Sequence, residues 1–220
     1  MLYVLLDNGH GQDTPGKSSP KLKDGHRFYE WQFCREVVAG IIGKLEDHDD
    51  IKLIEVTPED NDISLTKRVN RINSYCNKYG SSNCIMISVH VNAAGDGKWM
   101  TGRGWSAWTT PGQNNSDKLA DCLYDAAEKI ILSDDYYIES FNDPAYKKQK
   151  PIRVDKTDGD RDCEAKFQII KGSSCPAVLT ENMFMDNEDD LEFLESIEGF
   201  NRIIDVHVDG ILRYKEKYHK

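Results

Sequence analysis

Residues 2–10 read Leu2-Tyr3-Val4-Leu5-Leu6-Asp7-Asn8-Gly9-His10, five mostly apolar residues followed by a polar turn that contains glycine. A short apolar run bounded by turn residues is typical of a strand buried on both faces. The pattern occurs twice more, where Ile85 to Val89 leads into His90 and Ala177 to Thr180 leads into Glu181. The sequence therefore predicts three buried strands, each ending in a polar residue of a kind that enzymes use.

Segments with a helical repeat alternate with these strands. Trp31 to Leu45 carries apolar residues at steps of three and four, the pattern of an amphipathic helix. Ser64 and Gly80 have the residue types of an N-cap and a stop signal for a second helix. Further strands are predicted at residues 52–56 and 105–109, and further helices at 119–130 and 197–211. This alternation predicts an α/β fold with a largely parallel sheet.

The whole chain, residues 1–220, is expected to form one domain. With 39% hydrophobic and 30% charged residues it has an ordinary soluble composition, and 220 residues are enough for one sizeable core. Residues 133–160 fit neither a helix nor a strand pattern, because they are rich in Asp, Lys and Tyr and contain two prolines. A long irregular segment inside a compact domain is functional or mobile, and a lid over a cleft is one prediction for it.

Charge and hydropathy argue against several classes of partner. The formal net charge of −10 leaves no basic field to hold a phosphate backbone, so nucleic acid is not expected as a partner. No apolar run reaches the length of a transmembrane helix, so membrane insertion is not expected. Leu2 to Leu6 is too short for a signal peptide and meets Asp7 directly. An extracellular target would therefore require a separate release route or a trimmed exported form.

The six cysteines are scattered along the chain without a CxxC pair: Cys34, Cys76, Cys84, Cys122, Cys163 and Cys175. Most of them lie among apolar residues. We interpret them as small buried hydrophobic residues in reducing surroundings, in preference to a disulfide framework or a zinc-thiolate site.

The polar residues at the ends of the three strands predict a common site. In an open parallel sheet the carboxyl ends of neighbouring strands share one edge, where ligands bind, so His10, His90 and Glu181 are expected to converge. Glu30 is a fourth candidate, because it starts the first helix on the side that is buried further along. A carboxylate there is either tolerated through the helix dipole or held by a cation in the cleft.

Together these four side chains have the composition of a catalytic zinc site. Two neutral imidazoles and one carboxylate make a three-ligand set that leaves the fourth tetrahedral position open for water. Zinc lowers the pKa of that water to roughly 7 and polarises a carbonyl group. The remaining acid, Glu181, would take a proton from the water and pass it to a departing nitrogen. Such a site would hydrolyse an amide.

Four motifs occur in order along nearly the whole chain. They are residues 7–11 (Asp-Asn-Gly-His-Gly), Glu30, residues 88–93 (Ser-Val-His-Val-Asn-Ala), and residues 176–182 (Pro-Ala-Val-Leu-Thr-Glu-Asn) followed by 186–189 (Asp-Asn-Glu-Asp). In this order they resemble the zinc-dependent N-acetylmuramoyl-L-alanine amidases of the amidase-3 type, found in bacterial cell-wall hydrolases and phage endolysins.

The resemblance implies a role for each matching residue. His10, Glu30 and His90 would ligate Zn²⁺, and Glu181 would be the general base. The substrate would be peptidoglycan, cut between N-acetylmuramic acid and L-alanine. The implied fold is a twisted, mostly parallel central sheet of about six strands flanked by helices on both faces. One departure is Asn8, where the family usually has proline.

Other residues compete with these assignments. His26 lies near Glu30 and is the main rival for a metal role. The remaining histidines are expected to be solvated or packed: His48, His207 and His219. The acidic residues from Asp186 to Glu192 are interpreted as a solvated first turn of a helix, favoured by the helix dipole. Three tryptophans either stack on sugars or belong to the core: Trp99, Trp105 and Trp108.

Two other functions fit the same residues. A zinc peptidase or deacylating amidohydrolase acting on free peptides would need a cation for a terminal carboxylate, and its candidates are Arg103, Arg153 and Arg161. A non-catalytic wall-binding protein could use the same fold, although all four polar residues of an active site are present. The preferred peptidoglycan chemotype and the oligomeric state are not determined by the sequence.

Overall fold

A computed structural model describes residues 1–95, 97–146 and 148–219. Within these residues one sheet has the strand order β2-β1-β3-β6-β4-β5. The strands are β1 Leu2–Asn8, β2 Ile51–Glu55, β3 Cys84–Asn92, β4 Ser106–Thr109, β5 Cys163–Glu164 and β6 Ala177–Phe184. β1, β2, β3 and β6 run parallel, whereas β4 is antiparallel to β6 and β5 is parallel to β4. The prediction of a mostly parallel sheet of about six strands is confirmed.

Helices cover both faces of this sheet. In the described part of the chain they are α1 Glu30–Leu45, α2 Leu65–Tyr79, α3 Asn115–Ile131, α4 Asp135–Glu139, α5 Gln168–Lys171, α6 Glu188–Glu195 and α7 Ile197–Tyr218. Val4 of β1 belongs to the larger core cluster, together with α1, α3 and α7. Leu5 points to the other face and packs with Ile72 of α2 and Ile169 of α5. Burial on both faces explains why β1 is a continuous apolar run.

Local sequence determines both ends of α2. The Ser64 hydroxyl accepts a hydrogen bond from the Lys67 N–H, and Gly80 takes a φ of 89° as its N–H donates to the helix. Glycine adopts positive φ without steric cost, so the predicted cap and stop signal are confirmed. Leu65, in the first turn of α2, is exposed, and the buried residues of this helix begin at Arg68.

Two strands are longer than their apolar runs predict. β3 continues through His90 to Asn92, and β6 continues through Glu181 to Phe184. The prediction that His90 and Glu181 follow the ends of their strands is therefore wrong. Backbone pairing does not depend on side-chain polarity, so the ladder extends for as long as the neighbouring strand offers partners.

Residues 133–160 are irregular, as expected. Their described part contains α4 and two 3-10 turns, Ser140–Asn142 and Pro144–Tyr146. The buried Arg103 anchors the segment, because its guanidinium donates to Ser140 Oγ at 2.8 Å and stacks on the ring of Phe141. A role of this segment as a lid stays a prediction.

All six cysteines are free thiols, and they are buried except for the half-buried Cys163. Their interpretation as small buried hydrophobic residues is confirmed for the buried ones. Separately, no helix among the described residues combines the length and the apolar character that crossing a membrane requires.

Candidate active site

His10, Glu30 and His90 converge at the carboxyl edge of the parallel strands. Glu30 Oε1 lies 3.0 Å from His90 Nδ1 and 3.5 Å from His10 Nε2. One ligand-type atom from each residue lies within 4.8 Å of the other two. The two imidazole rings are 5.0 Å apart and nearly perpendicular. Three residues that are far apart in the sequence therefore surround one point.

The turn after β1 presents His10 in an uncommon backbone conformation. Its φ is 61°, in the left-handed region that few residues other than glycine adopt. The His10 carbonyl accepts hydrogen bonds from Arg35 Nη2 of α1 and Arg68 Nη2 of α2, each at 3.2 Å. The two guanidinium groups hold the turn in place. Sequence reasoning missed both arginines, because each looks like an ordinary polar position on an amphipathic helix.

Gly9 and Gly11 allow this turn to pack closely against its neighbours. A Cβ at Gly9 would lie 2.7 Å from His90 Nδ1, and a Cβ at Gly11 would lie 2.0 Å from the Asp62 backbone nitrogen. Both distances are shorter than real Cβ contacts. Glycine at both positions therefore permits this close approach of the backbone to neighbouring residues.

Asn8 fixes the same turn through hydrogen bonds. Its N–H donates to Thr57 Oγ1 at 2.9 Å, and its side-chain amide donates to Glu55 Oε1 at 2.7 Å and to the Thr57 carbonyl at 2.9 Å. A proline at this position could make none of these bonds, since it has neither an N–H nor a polar side chain. The hydrogen bonds of Asn8 thus restrict the turn in this chain, as the ring of a proline at this position would.

A buried ion pair lies beneath the site. Asp7 accepts hydrogen bonds from Ser88 Oγ at 2.6 Å and from Arg68 Nη1 at 2.9 Å. Arg68 also donates to the Asn8 carbonyl and, at 2.7 Å, to Asp62 Oδ1. Both Asp7 and Arg68 are buried. Since the Asp7 carboxylate is occupied by these partners, it supports the turn and is not free to bind a ligand.

Glu30 is a buried anion with one oxygen left over. Its side chain is 1% exposed, and Oε1 accepts the Val91 N–H at 3.1 Å. Burial raises the pKa of this carboxyl, but the hydrogen bond and charge of His90, followed by the charge of His10, bring the pKa below its usual value. Oε2 is buried without a hydrogen-bond partner, and Lys17 Nζ lies 4.0 Å from it. A buried carboxylate oxygen of this kind calls for a cation.

The pKa values of the two histidines shift in opposite directions. Burial lowers the pKa of His10 to about 4 against the opposing charge of Glu30, so this imidazole is neutral at pH 7. Burial also acts to lower the pKa of His90, but its hydrogen bond to Glu30 and the charges of Glu30 and Glu181 raise it above the usual value. His10 is therefore ready to ligate a metal.

Glu181 lies beside His90 in the sheet. The two residues are register partners on the parallel strands β6 and β3. Glu181 Oε2 is buried and has no hydrogen-bond partner. Burial raises the pKa of Glu181 to about 7, with the charge of His90 opposing the shift and that of Glu30 adding to it. A carboxyl group with such a pKa can both accept and return a proton at neutral pH.

An irregularity in β6 follows directly after Glu181. His90 pairs with Glu181, but Asn92 pairs with Phe184, so β6 contains one extra residue. β-bulges of this type are common next to active sites, where they re-aim side chains. Asn182 bridges the neighbouring strands, because its amide donates to the His90 carbonyl at 2.9 Å and accepts from Trp105 Nε1 at 2.9 Å.

Comparison with known proteins identifies the family. A sequence profile of the amidase-3 family, described as N-acetylmuramoyl-L-alanine amidase, matches residues 4–213. The chain belongs to this family. It is 26% identical over 215 residues to the N-acetylmuramoyl-L-alanine amidase CwlM of Bacillus licheniformis, covering 97% of this chain and 68% of that protein. It is 24% identical over 215 residues to the endolysin of Bacillus phage SPP1, covering 94% of this chain and 64% of that protein.

The chain thus spans about two thirds of the length of these relatives. Solved structures of amidases share its fold. An N-acetylmuramoyl-L-alanine amidase from Clostridium difficile 630 superposes with a TM-score of 0.72 at 20% identity, over 98% of this chain and 97% of that one. The catalytic domain of CwlV from Bacillus (Paenibacillus) polymyxa gives a TM-score of 0.71 at 18% identity, over 98% of this chain and 99% of that one.

In this member of the amidase-3 family, His26 lies outside the cluster. It is half-exposed, with Nδ1 2.6 Å from Asp24 Oδ1 and Nε2 3.2 Å from Glu195 Oε1. His207 is buried in α7, where its ring nitrogens contact Thr180 Oγ1 and the Ile203 carbonyl. Neither histidine belongs to a possible metal-binding group among the described residues. The structure therefore favours His10 and His90 over the rival His26.

The interpretation of the acidic residues from Asp186 to Glu192 as a solvated turn is wrong for two of these acids. Asp190 is 0% exposed, and its carboxylate pairs with Arg103 Nε at 3.2 Å. Asp186 is also buried and accepts the Ala94 N–H at 2.8 Å. Backbone N–H groups and a guanidinium group from distant loops donate hydrogen bonds to these carboxylates. The carboxylates can therefore be buried. A sequence pattern cannot reveal such donors.

The three tryptophans have different environments in this family member. Trp105 is fully buried in the core, and Trp108 packs against Phe167. Trp99 is partly exposed and lines a cavity of about 680 Å³ together with Leu22 and Leu191. Only the position of Trp99 suits contact with a ligand.

Proposed function

We propose that this protein is a zinc-dependent amidase that hydrolyses the amide bond between N-acetylmuramic acid and L-alanine in peptidoglycan. The observation that carries the proposal is the convergence of His10, Glu30 and His90 on one point, with Glu181 beside His90. Membership of the amidase-3 family supports the type of reaction.

The residues present fit a zinc ion. Two imidazoles and one carboxylate form the ligand set of catalytic sites that keep a fourth position open. Glu30 Oε2 supplies a buried anionic oxygen without a partner, and the low pKa of His10 keeps its imidazole neutral. When bound, zinc would polarise the substrate carbonyl and lower the pKa of water to about 7.

Glu181 would handle the protons of the reaction. Its carboxylate accepts a proton from the attacking water while the water oxygen bonds to the carbonyl carbon. It then gives this proton to the alanine nitrogen as the C–N bond breaks. The second proton of the water leaves with the lactyl carboxyl group, which ionises in solution, and the stem peptide is released with a free amino group. The pKa of about 7 allows both transfers at neutral pH.

We propose that the cavity beside Trp99 contacts the wall polymer. The segments that line the cavity follow the candidate active site in sequence. Trp99 lies on the loop after β3, the strand that carries His90, and Glu188 begins the helix after β6, the strand that carries Glu181. Trp99 and Leu191 give the cavity an apolar part, and Glu188 adds a carboxylate. A tryptophan face next to polar groups suits a sugar ring, which has both an apolar face and hydroxyl groups.

The proposed partner is peptidoglycan, comprising the glycan strand and the stem peptide. A nucleic acid partner is not proposed, because the protein has a net charge of −10. The enzyme would act on the bacterial cell wall after release, as a phage lysin does, or as a trimmed exported protein.

A peptidase acting on free peptides has less support. Arg103 is fully buried and paired with Asp190, so it is not available to a terminal carboxylate. Arg161 pairs with Asp121 at 2.9 Å, and Arg153 donates to the backbone carbonyl of Arg103. Each candidate cation for that function is therefore engaged within the protein.

The test is the variant Glu181→Gln, which keeps the shape of the side chain but cannot accept a proton. We expect it to bind one zinc ion per chain by elemental analysis and to release stem peptides from purified wall at least about 100-fold more slowly. Glu36→Gln, an exposed acid on α1, is the matched control and should behave as the unsubstituted protein does.

Mass spectrometry of the digest identifies the bond that is cut. An amidase of this type yields intact stem peptides that begin with alanine. Full activity of Glu181→Gln would rule out its role as the base, and products that lack the N-terminal alanine would favour the peptidase. Stoichiometric zinc without turnover in the unsubstituted protein would favour a wall-binding protein.

A further inference from the structure

A second group of acids lies away from the candidate active site. Asp117, Asp160 and Asp162 each place a carboxylate oxygen within 4.8 Å of the other two. Asp117 lies in the first turn of α3, and Asp160 and Asp162 precede β5. Thr109, at the end of β4, donates its hydroxyl to Asp162 Oδ2 at 2.5 Å. Three separate segments of the chain therefore meet at this cluster.

Two buried oxygens of the cluster have no hydrogen-bond partner. Asp117 is 7% exposed, and its Oδ2 caps the helix by accepting the Asn114 N–H, but its Oδ1 is unpaired. Asp160 Oδ2 accepts from Gln113 Nε2 at 2.5 Å, whereas its Oδ1 is buried and unpaired. The helix dipole accounts for one carboxylate at the start of α3. It does not account for three carboxylates with unpaired buried oxygens.

No positive side chain neutralises this cluster. Arg161, between Asp160 and Asp162 in sequence, turns away to pair with Asp121, Asp125 and Glu128 of α3. Among the residues that the structure describes, no lysine or arginine pairs with any of the three carboxylates. Burial, with the charges of Asp160 and Asp117, raises the pKa of Asp162 to about 7 against the Thr109 hydrogen bond. Like charges this close are unfavourable unless a proton or a bound cation neutralises one of them.

We infer that Asp117, Asp160 and Asp162 form a binding site for Ca²⁺. Carboxylate oxygens are ligands for hard cations, and Ca²⁺ binds them at about 2.3–2.6 Å in flexible geometry. Mg²⁺ keeps most of its water and is usually bound by only one or two protein carboxylates, so a set of three carboxylates favours Ca²⁺.

The acidic cluster lies at the opposite ends of the strands from the candidate active site. β4 runs antiparallel to β6, with Ser106 opposite Glu181 and Trp108 opposite Leu179. Thr109, the last residue of β4, therefore lies toward the amino end of β6, away from Glu181. A bound Ca²⁺ would join the end of β4, the start of α3 and the segment before β5. Its effect is on the stability of this sheet edge and not on the reaction.

The test measures thermal unfolding as CaCl₂ is added. The protein is stripped with a chelator, reloaded with one equivalent of zinc and titrated with CaCl₂ at constant ionic strength. We expect the melting temperature to rise by about 5–10 °C once Ca²⁺ exceeds its dissociation constant about 100-fold. Calorimetric titration should give one Ca²⁺ per chain. An equal rise of the melting temperature with MgCl₂ would overturn the assignment to Ca²⁺. If CaCl₂ raised the melting temperature no more than NaCl does, the site itself would be overturned.

Four variants locate the effect. Asp162→Asn and the half-exposed Asp160→Asn should each lose the response to Ca²⁺, and the second keeps the test valid if the first does not fold. Asp49→Asn, an exposed acid remote from the cluster, is the matched control and should respond fully. His10→Ala should also respond fully, because the two sites are separate. A full response in both cluster variants would contradict the proposal.

Discussion

Individual atoms determine whether His10 can reach Glu30 and His90. The turn that carries His10 packs so closely on β3 that Gly9 leaves no room for a methyl group. The carbonyl of His10 is then fixed by Arg35 and Arg68. The position of one ligand thus depends on residues that never contact the reacting groups, and this dependence can be tested.

The first prediction concerns Gly9→Ala. Its Cβ would lie 2.7 Å from both His90 Nδ1 and the Val89 carbonyl oxygen, so the imidazole or the turn that carries His10 must shift. We expect zinc affinity, measured by competition with a chromophoric chelator, to fall by about 10–100-fold, as for other changes that misorient a metal ligand. Gly43→Ala is the control, because it lies on the exposed side of α1 with no atom near its added Cβ. It should stabilise the fold by about 0.5–1 kcal/mol. Unchanged zinc affinity in Gly9→Ala would show that His90 tolerates the methyl group.

The elements β4, α4 and α6 are joined by the buried Arg103. Its guanidinium pairs with Asp189 and Asp190 at the start of α6 and stacks on Phe141 after α4. Asp190 also accepts the Gly104 N–H at 2.8 Å, so the loop before β4 is tied to α6 twice. The irregular segment therefore has a firm anchor, although few of its own residues form regular structure.

The second prediction concerns Arg103→Ala. The substitution leaves the Asp190 carboxylate buried without its cation, and breaking a buried pair in this way costs about 3–5 kcal/mol of unfolding free energy. Urea unfolding measures this loss. Arg213→Ala breaks a partly exposed pair with Asp209 within α7 and should cost no more than about 0.5 kcal/mol. Similar losses in the two variants would mean that Arg103 is not the anchor.

The stability of the whole molecule is expected to depend on pH through His207. This residue connects α7 to the central strand β6, and it is fully buried. Burial lowers the pKa of His207 to about 4, compared with about 6.5 in an unfolded chain. Between these two values the unfolded chain binds a proton that the folded protein does not bind. The free energy of unfolding must therefore decrease as the pH falls from 6.5 toward 4.

The third prediction follows from this difference. The contribution of His207 is about 3 kcal/mol over the full interval. His10 titrates in the same range, so the unsubstituted protein is compared with His207→Gln, which retains His10. Urea unfolding at several pH values should show a smaller loss of stability at low pH in the variant. Identical pH dependence of the two proteins would indicate that His207 is protonated in the folded state.

Much of the fold could be predicted because its signals are local. The apolar run of β1, the helical repeat of α1 and the cap and stop residues of α2 each follow from a few neighbouring residues. The ends of β3 and β6 could not be predicted in the same way. Their length depends on pairing with other strands, and polar residues such as His90 and Glu181 can occupy a ladder as readily as apolar ones.

The sequence by itself determined the class of fold and a short set of candidate ligands, because hydrophobic periodicity and residue chemistry are properties of the chain alone. Only the tertiary structure decided that Glu30 points at both histidines, that Arg35 and Arg68 hold the turn, and that Asp186 is buried. Each of these depends on a partner many residues away. Whether a polar group faces water or a distant donor is set by packing, which no local pattern contains.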